Sequence, residues 1–170
     1  PRPITLARSV ITVAGRDVGA LRRALASVAD MIIINGKELL GADRLDAQRE
    51  VVRILYQADR SGKVIALQAD LHRPKAERDL QELLGALGAK VQAVILPLVE
   101  QPALVRRADG LLTEIERELG LPVGTIGLGA RLSKPEAIER DGLAIATASR
   151  RMMWLLLDLP AGQPKESPTD

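Results

Sequence analysis

Three side chains in this sequence stand where the end of a strand would present them to a reactant. Asp158 follows the apolar run Met152–Leu157, Glu100 follows Val94-Ile95-Leu96-Pro97-Leu98-Val99, and His72 lies in Asp70-Leu71-His72-Arg73-Pro74, just past the run Val64–Leu67. A carboxylate such as Asp158 is a hard oxygen donor suited to a divalent cation, and equally suited to capping a turn. Glu100 sits where barrel enzymes place their chemistry, and is also an ordinary loop carboxylate ahead of Pro102. Histidine is the side chain type whose charge can change near neutral pH, so acid–base work is open to His72, as is simple solvation. Gly124, Gly127 and Gly129 form no G-x-G-x-x-G and precede no G-K-S/T, so a nucleotide loop is not expected. The pairs Arg22-Arg23, Arg106-Arg107 and Arg150-Arg151 suit phosphates, although paired arginines on helices are usually a solvated face.

Composition removes several alternatives. The chain has no cysteine and one histidine, which excludes a disulfide scaffold, a thiolate metal site and a histidine-rich one. Its net charge of +2 is too small to argue for nucleic acid, and Tyr56 and Trp154 are its only aromatic residues, too few for a base-stacking platform. No run approaches the ~20 apolar residues that span a bilayer. Pro1-Arg2-Pro3 leads into no signal-peptide core, so the expected compartment is the cytoplasm, with no membrane partner. With 46% hydrophobic and 27% charged residues over 170 positions, one soluble α/β domain over residues 1–160 is expected, followed by a disordered tail at 161–170.

The elements that must position these groups alternate. Apolar runs at Ile4–Val13, Met31–Ile34, Val64–Leu67, Val91–Leu96, Val123–Leu128 and Met152–Leu157 read as strands, continuous rather than alternating, as parallel strands covered on both faces are. Between them lie helical spacings: Leu21, Leu25, Val28; Leu45, Val51, Val52, Leu55; Leu80, Leu83, Leu84, Leu87; and Leu104 to Leu119. A fifth helix is predicted from Pro135 to Arg151, with proline in its first turn. Gly62, Gly88 and Gly120 are placed as helix C-caps. Such βα steps of about 30 residues fit either an open doubly wound sheet or an incomplete TIM-type barrel of about six strands; a full barrel takes ~250 residues.

Particular stretches favour the barrel. Arg8-Ser9-Val10-Ile11-Thr12-Val13-Ala14-Gly15, Ala29-Asp30-Met31-Ile32-Ile33-Ile34, Val94-Ile95-Leu96-Pro97-Leu98-Val99-Glu100, Ser133-Lys134-Pro135-Glu136-Ala137 and Ala146 to Leu159 resemble, in order, the R-S-x-L-F-V-P-G, A-D-x-V-I-L, V-L-P-K-V-E, E-T-P-E-A and closing G-x-x-D-L motifs of the citrate lyase β-subunit family of CoA-ester lyases and aldolases. The resemblance implies a (β/α)8-type fold and magnesium-dependent cleavage or formation of C–C bonds on acyl-CoA or keto-acid substrates.

It also assigns roles, and the chain departs from most of them. Asp158 stands at the family's metal-binding aspartate, but Ser133 replaces the metal-binding glutamate. Gln68 replaces a substrate-pairing arginine, and a neutral amide makes no charged bidentate pair. Leu98 replaces a lysine, and Asn35-Gly36-Lys37-Glu38 replaces the acidic D-L-E-D. Magnesium is therefore implied by resemblance only, with Asp158 and Ser133 at its ligand positions and Gln68 and Glu100 at catalytic ones. The expectation is impaired or altered catalysis; the alternative is a non-catalytic scaffold or regulatory subunit. A barrel that stops short leaves an edge to cover, so a homo-oligomer or partner subunit is expected. The remaining alternative, an open domain with a ligand at a switch point, rests on fold analogy.

Overall fold

The computed structural model of the protein describes residues 7–41, 43–58 and 62–158. Six strands, β1 (Val10–Ala14), β2 (Met31–Asn35), β3 (Val64–Gln68), β4 (Ala93–Leu96), β5 (Gly127–Leu132) and β6 (Met152–Leu157), lie parallel in the order of the chain. Between them run α1 (Val18–Ala26), α2 (Arg44–Gln57), α3 (Ala76–Leu87), α4 (Pro102–Glu118) and α5 (Pro135–Ala146).

That strand order decides between the two architectures. A doubly wound sheet reverses direction at a switch point; here every strand pairs with its successor. Crossovers of one hand then place all helices on one face. The core divides accordingly. The larger cluster joins helix residues such as Leu21, Leu55, Leu84, Leu112 and Ile145 to the outward strand positions Ile32, Ile34, Leu67, Val94 and Leu128. The smaller holds Met31, Ile33, Val64, Ala66, Ala93 and Ile95, with Trp154 and Leu156 packed on it and no helix residue in it. The protein is thus an incomplete barrel: a curled arc of strands with helices outside and an apolar floor inside.

The helices form where spacing predicted them. On α3, Leu80, Leu83, Leu84 and Leu87 are all buried, and burying each leucine contributes about 1.5–3 kcal/mol. Asp17 caps α1 by accepting from the Ala20 amide at 2.7 Å. Pro102 and Pro135 open α4 and α5, where the missing N–H is harmless. Among the described residues, no helix is long and apolar enough to cross a membrane.

Several boundaries differ from the sequence reading. The fifth strand is Gly127–Leu132, not Val123–Leu128: Gly124 has φ 87 in a turn, and Val123 is exposed. The fifth helix ends at Ala146, and Arg151 instead leads into β6. Val28 lies beyond α1 and is 97% exposed, so it extends no apolar face. The first strand begins at Val10; residues 4–6, like the tail at 161–170, fall outside the described residues. Gly88 and Gly120 do close helices at φ 58 and φ 66, but Ala58 closes α2 and Gly62 belongs to the entry to β3.

Two further glycines pack the strand ends together. A Cβ on Gly15 would stand 2.6 Å from the Asn35 carbonyl oxygen, and one on Gly36 would stand 2.7 Å from that of Gln68. The turns after β1 and β2 therefore press directly on the backbone of the next strand.

At the opposite end, charge locks α4 to the sheet. Arg151, 5% exposed at its side chain, donates to Glu116 at 2.8 Å, to Asp109 at 2.5 Å, to the Thr113 hydroxyl at 2.8 Å and to the Ile126 carbonyl at 3.2 Å. Glu116, fully buried, also accepts from the Ile126 amide at 2.6 Å and the Gly124 amide at 2.7 Å. Burial alone would raise the Glu116 carboxyl; the Arg151 hydrogen bond and the two amides outweigh it and hold the carboxyl below its ordinary range. Arg151 is thus a structural tie, not the phosphate ligand or solvated residue that an arginine pair suggests.

Candidate functional site

In barrels of parallel strands the C-terminal strand ends carry the chemistry. Here that mouth is built by the turns after β2 to β5 and by Asp158 at the end of β6. Residues two apart on a strand share a face, so Asn35 continues the inner row Met31–Ile33, Gln68 continues Val64–Ala66, and Arg131 continues Gly127–Gly129. Asp158 follows the inner pair Trp154 and Leu156, its amide donating to the Leu132 carbonyl at 3.0 Å.

Ser133 and Asp158 meet. The Ser133 hydroxyl donates to Asp158 Oδ2 at 2.8 Å, across the ends of β5 and β6. On the other side, Arg131 Nε stands 3.8 Å from Asp158 Oδ1, within ion-pair range and beyond a hydrogen bond. That Nε is buried without a hydrogen-bond partner, and among the described residues the Arg131 guanidinium donates to nothing. Its side chain is 25% exposed.

Glu100 and Gln68 stand apart from this cluster. Glu100 pairs with Lys134 at 2.7 Å, and the lysine's hydrogen bond and charge hold the carboxyl below its ordinary range. With Asp70, His72, Leu98, Leu104 and Arg107 it lines an open cavity of about 580 Å³. Gln68 lines a smaller cavity of about 180 Å³, together with Asn35, Lys37, Asp70, Arg73 and Leu98. Its Oε1 is buried and lacks a hydrogen-bond partner. Asp70 and Leu98 border both cavities. Leu98 holds φ 54 while 55% exposed, a conformation that a bulky residue adopts only under constraint from its surroundings. The His72 amide donates to Asp70 Oδ1 at 3.0 Å, fixing the loop after β3.

The donor set at the expected metal position does not fit magnesium. A hard divalent cation takes several oxygens, usually with more than one carboxylate among them. Among the described residues Asp158 is the one carboxylate of this cluster; its Oδ2 already accepts from Ser133, and the guanidinium of Arg131 flanks Oδ1. Glu100 is held by Lys134. Among the described residues, no three histidine, aspartate or glutamate side chains gather to hold a metal.

Arg131 lies outside the apolar run Val123–Leu128 expected as the fifth strand, and becomes an inner-face residue because the strand starts at Gly127. The signal was present: in Gly127-Leu128-Gly129-Ala130-Arg131-Leu132, alternation puts the arginine on the face that the glycines leave bare. Those glycines cradle no phosphate. A Cβ on Gly127 would meet Met153 Sδ at 2.7 Å, and one on Gly129 would meet Ile95 Cδ1 at 2.6 Å.

Comparison with known proteins agrees with the resemblance in the motifs. Citrate lyase subunit beta of Leuconostoc mesenteroides subsp. cremoris is 25% identical over 154 residues, covering 89% of this chain and 50% of that protein. Malate synthase of Haloferax volcanii in its magnesium and glyoxylate complex superposes with a TM-score of 0.68 at 16% identity, over 92% of this chain and 53% of the other. The same enzyme with pyruvate and acetyl-CoA gives 0.68 at 18% identity, over 92% and 49%. RipC of Yersinia pestis gives 0.58 at 16%, over 91% and 59%. No family model matches the chain. The chain spans about half the length of the relatives it matches.

Proposed function

Starting from a chain homologous to the citrate lyase β-subunit, we propose a lyase-family domain that keeps a ligand-binding mouth while magnesium-dependent C–C chemistry on acyl-CoA or keto-acid substrates is impaired or altered. One observation carries this reading: Asp158 shares its oxygens with Ser133 and Arg131, where a metal-dependent lyase needs them for a cation. Loss of one preorganised electrostatic group commonly slows an enzyme by about 10²–10³-fold. Here the glutamate, the substrate-pairing arginine and a lysine of the family pattern are replaced by Ser133, Gln68 and Leu98.

What remains serves to bind and orient. Ser133 fixes the Asp158 carboxylate, Arg131 offers guanidinium donors to the concave side, and Gln68 offers an unsatisfied acceptor. The test is incubation of the purified chain with citryl-CoA or malyl-CoA and Mg²⁺, with product release followed by chromatography. No metal-dependent cleavage above background is expected. Turnover that requires Mg²⁺ and disappears in Asp158→Ala would refute the proposal.

A second reading, a non-catalytic subunit that binds another copy or a paralogue, draws on the two outer strands. Val10 on β1 is 41% exposed, and Leu155 and Leu157 on β6 are 42% and 48% exposed. Sedimentation checks it: a single species at monomer mass across a wide concentration range would remove self-association.

A further inference from the structure

We propose that Arg131 takes over the charge role of a metal, so that this mouth holds a small carboxylate directly on the guanidinium, without a divalent cation. The inference deepens the function proposed above and rests on the same site. Register puts Arg131 on the inner row of β5, opposite Leu156 of β6 and one step past Gly129, over which Ile95 and Trp154 pack. A guanidinium carries five N–H donors, and among the described residues those of Arg131 make no hydrogen bond, although its Nε is buried. A buried donor left unpaired is destabilising, and a carboxylate reaching the exposed edge of the same fork would engage the guanidinium's free donors.

The ligand's charge class follows from the neighbour. Asp158 stands 3.8 Å from Arg131 and cancels part of its field. One cation so opposed suits a singly charged carboxylate group better than a phosphate dianion. The Ser133 hydroxyl donates to the other oxygen of Asp158, so the carboxylate is held from both sides.

This arrangement inverts the expected effect of altering Asp158. If Asp158 holds a metal, its loss abolishes ligand binding. If Asp158 opposes an arginine, neutralising it strengthens binding. Titration calorimetry of the full chain with lactate, a monoanion, in EDTA and then in excess Mg²⁺, reads the difference. Binding in EDTA is expected, unchanged by Mg²⁺, and tighter for lactate than for inorganic phosphate. Arg131→Gln should weaken it by about 10- to 100-fold, the scale of a charge-assisted hydrogen bond. Arg131→Lys should recover part of the affinity, since it keeps the charge and loses the fork. Asp158→Asn should tighten binding severalfold at low salt. Thermal melts of each variant show that the fold is retained. Binding that needs Mg²⁺, that is absent, that survives Arg131→Gln, that is lost in Asp158→Asn, or that favours phosphate would overturn the inference. Failure here with no magnesium-dependent cleavage would leave the proposed loss of catalysis standing; magnesium-dependent cleavage would remove that reading instead.

Discussion

Replacing Arg151 by methionine removes the cation from a buried pair and leaves Glu116, fully buried, with only the Ile126 and Gly124 amides. Breaking a buried pair by removing one partner costs about 3–5 kcal/mol, because the surviving charge stays desolvated. For a chain of 170 residues each kcal/mol moves the midpoint by about 2–4 °C, so Arg151→Met should lower Tm by about 6–20 °C. The sharper test is a change of sign. In the wild-type background Glu116→Gln should destabilise, since the amide loses the charged partner. In the Arg151→Met background it should stabilise, since it neutralises the stranded carboxylate and still accepts from Ile126. Acidity gives a parallel signal. The folded-state pKa of Glu116 lies below its unfolded value, so the unfolded chain binds more protons between the two. The contribution is therefore complete above the ordinary carboxylate range and fades as pH falls through the lowered value. In Arg151→Met burial prevails, and the acid limb should flatten or reverse. Chemical denaturation followed by far-UV circular dichroism, with both single variants and the double, measures all of this. An effect of Glu116→Gln with the same sign in both backgrounds would refute the reasoning.

Gly36→Ala should destabilise by about 1–3 kcal/mol, because the new methyl would stand 2.7 Å from the Gln68 carbonyl oxygen, a backbone atom that can move only with β3. A denaturation midpoint equal to wild type would show that the turn yields freely. Lys134→Met should raise the Glu100 pKa toward its ordinary value by removing the hydrogen bond and charge that lower it. A carboxyl titration by NMR reads this, and an unmoved Glu100 would show that the pair does not persist in solution.

The strands were legible because buried parallel strands are apolar throughout: Met31–Ile34 and Val64–Leu67 needed only one residue added at the C-terminal end. The fifth was not, since Val123 and Ile126 mimic a strand start while Gly124, at positive φ, turns the chain between them. Strand order was open at the level of periodicity, because neither apolar runs nor spacing records which strand lies beside which. Ser133 and Asp158 were paired by resemblance, and they stand in hydrogen-bond contact. Arg131 was invisible because its meaning depends on a neighbour across the sheet. The Glu116–Arg151 tie likewise joins residues with 35 positions between their numbers, a contact that no local pattern encodes.

Trp154 is the only tryptophan of the chain, and it sits where β5 and β6 pair irregularly, its Cβ 3.5 Å from the place a Gly129 side chain would fill. The floor of the arc thus carries its own fluorophore, placed by two glycines that leave it room. Separation of the last two strands would wet that indole and red-shift its emission, while fraying elsewhere would leave the spectrum still.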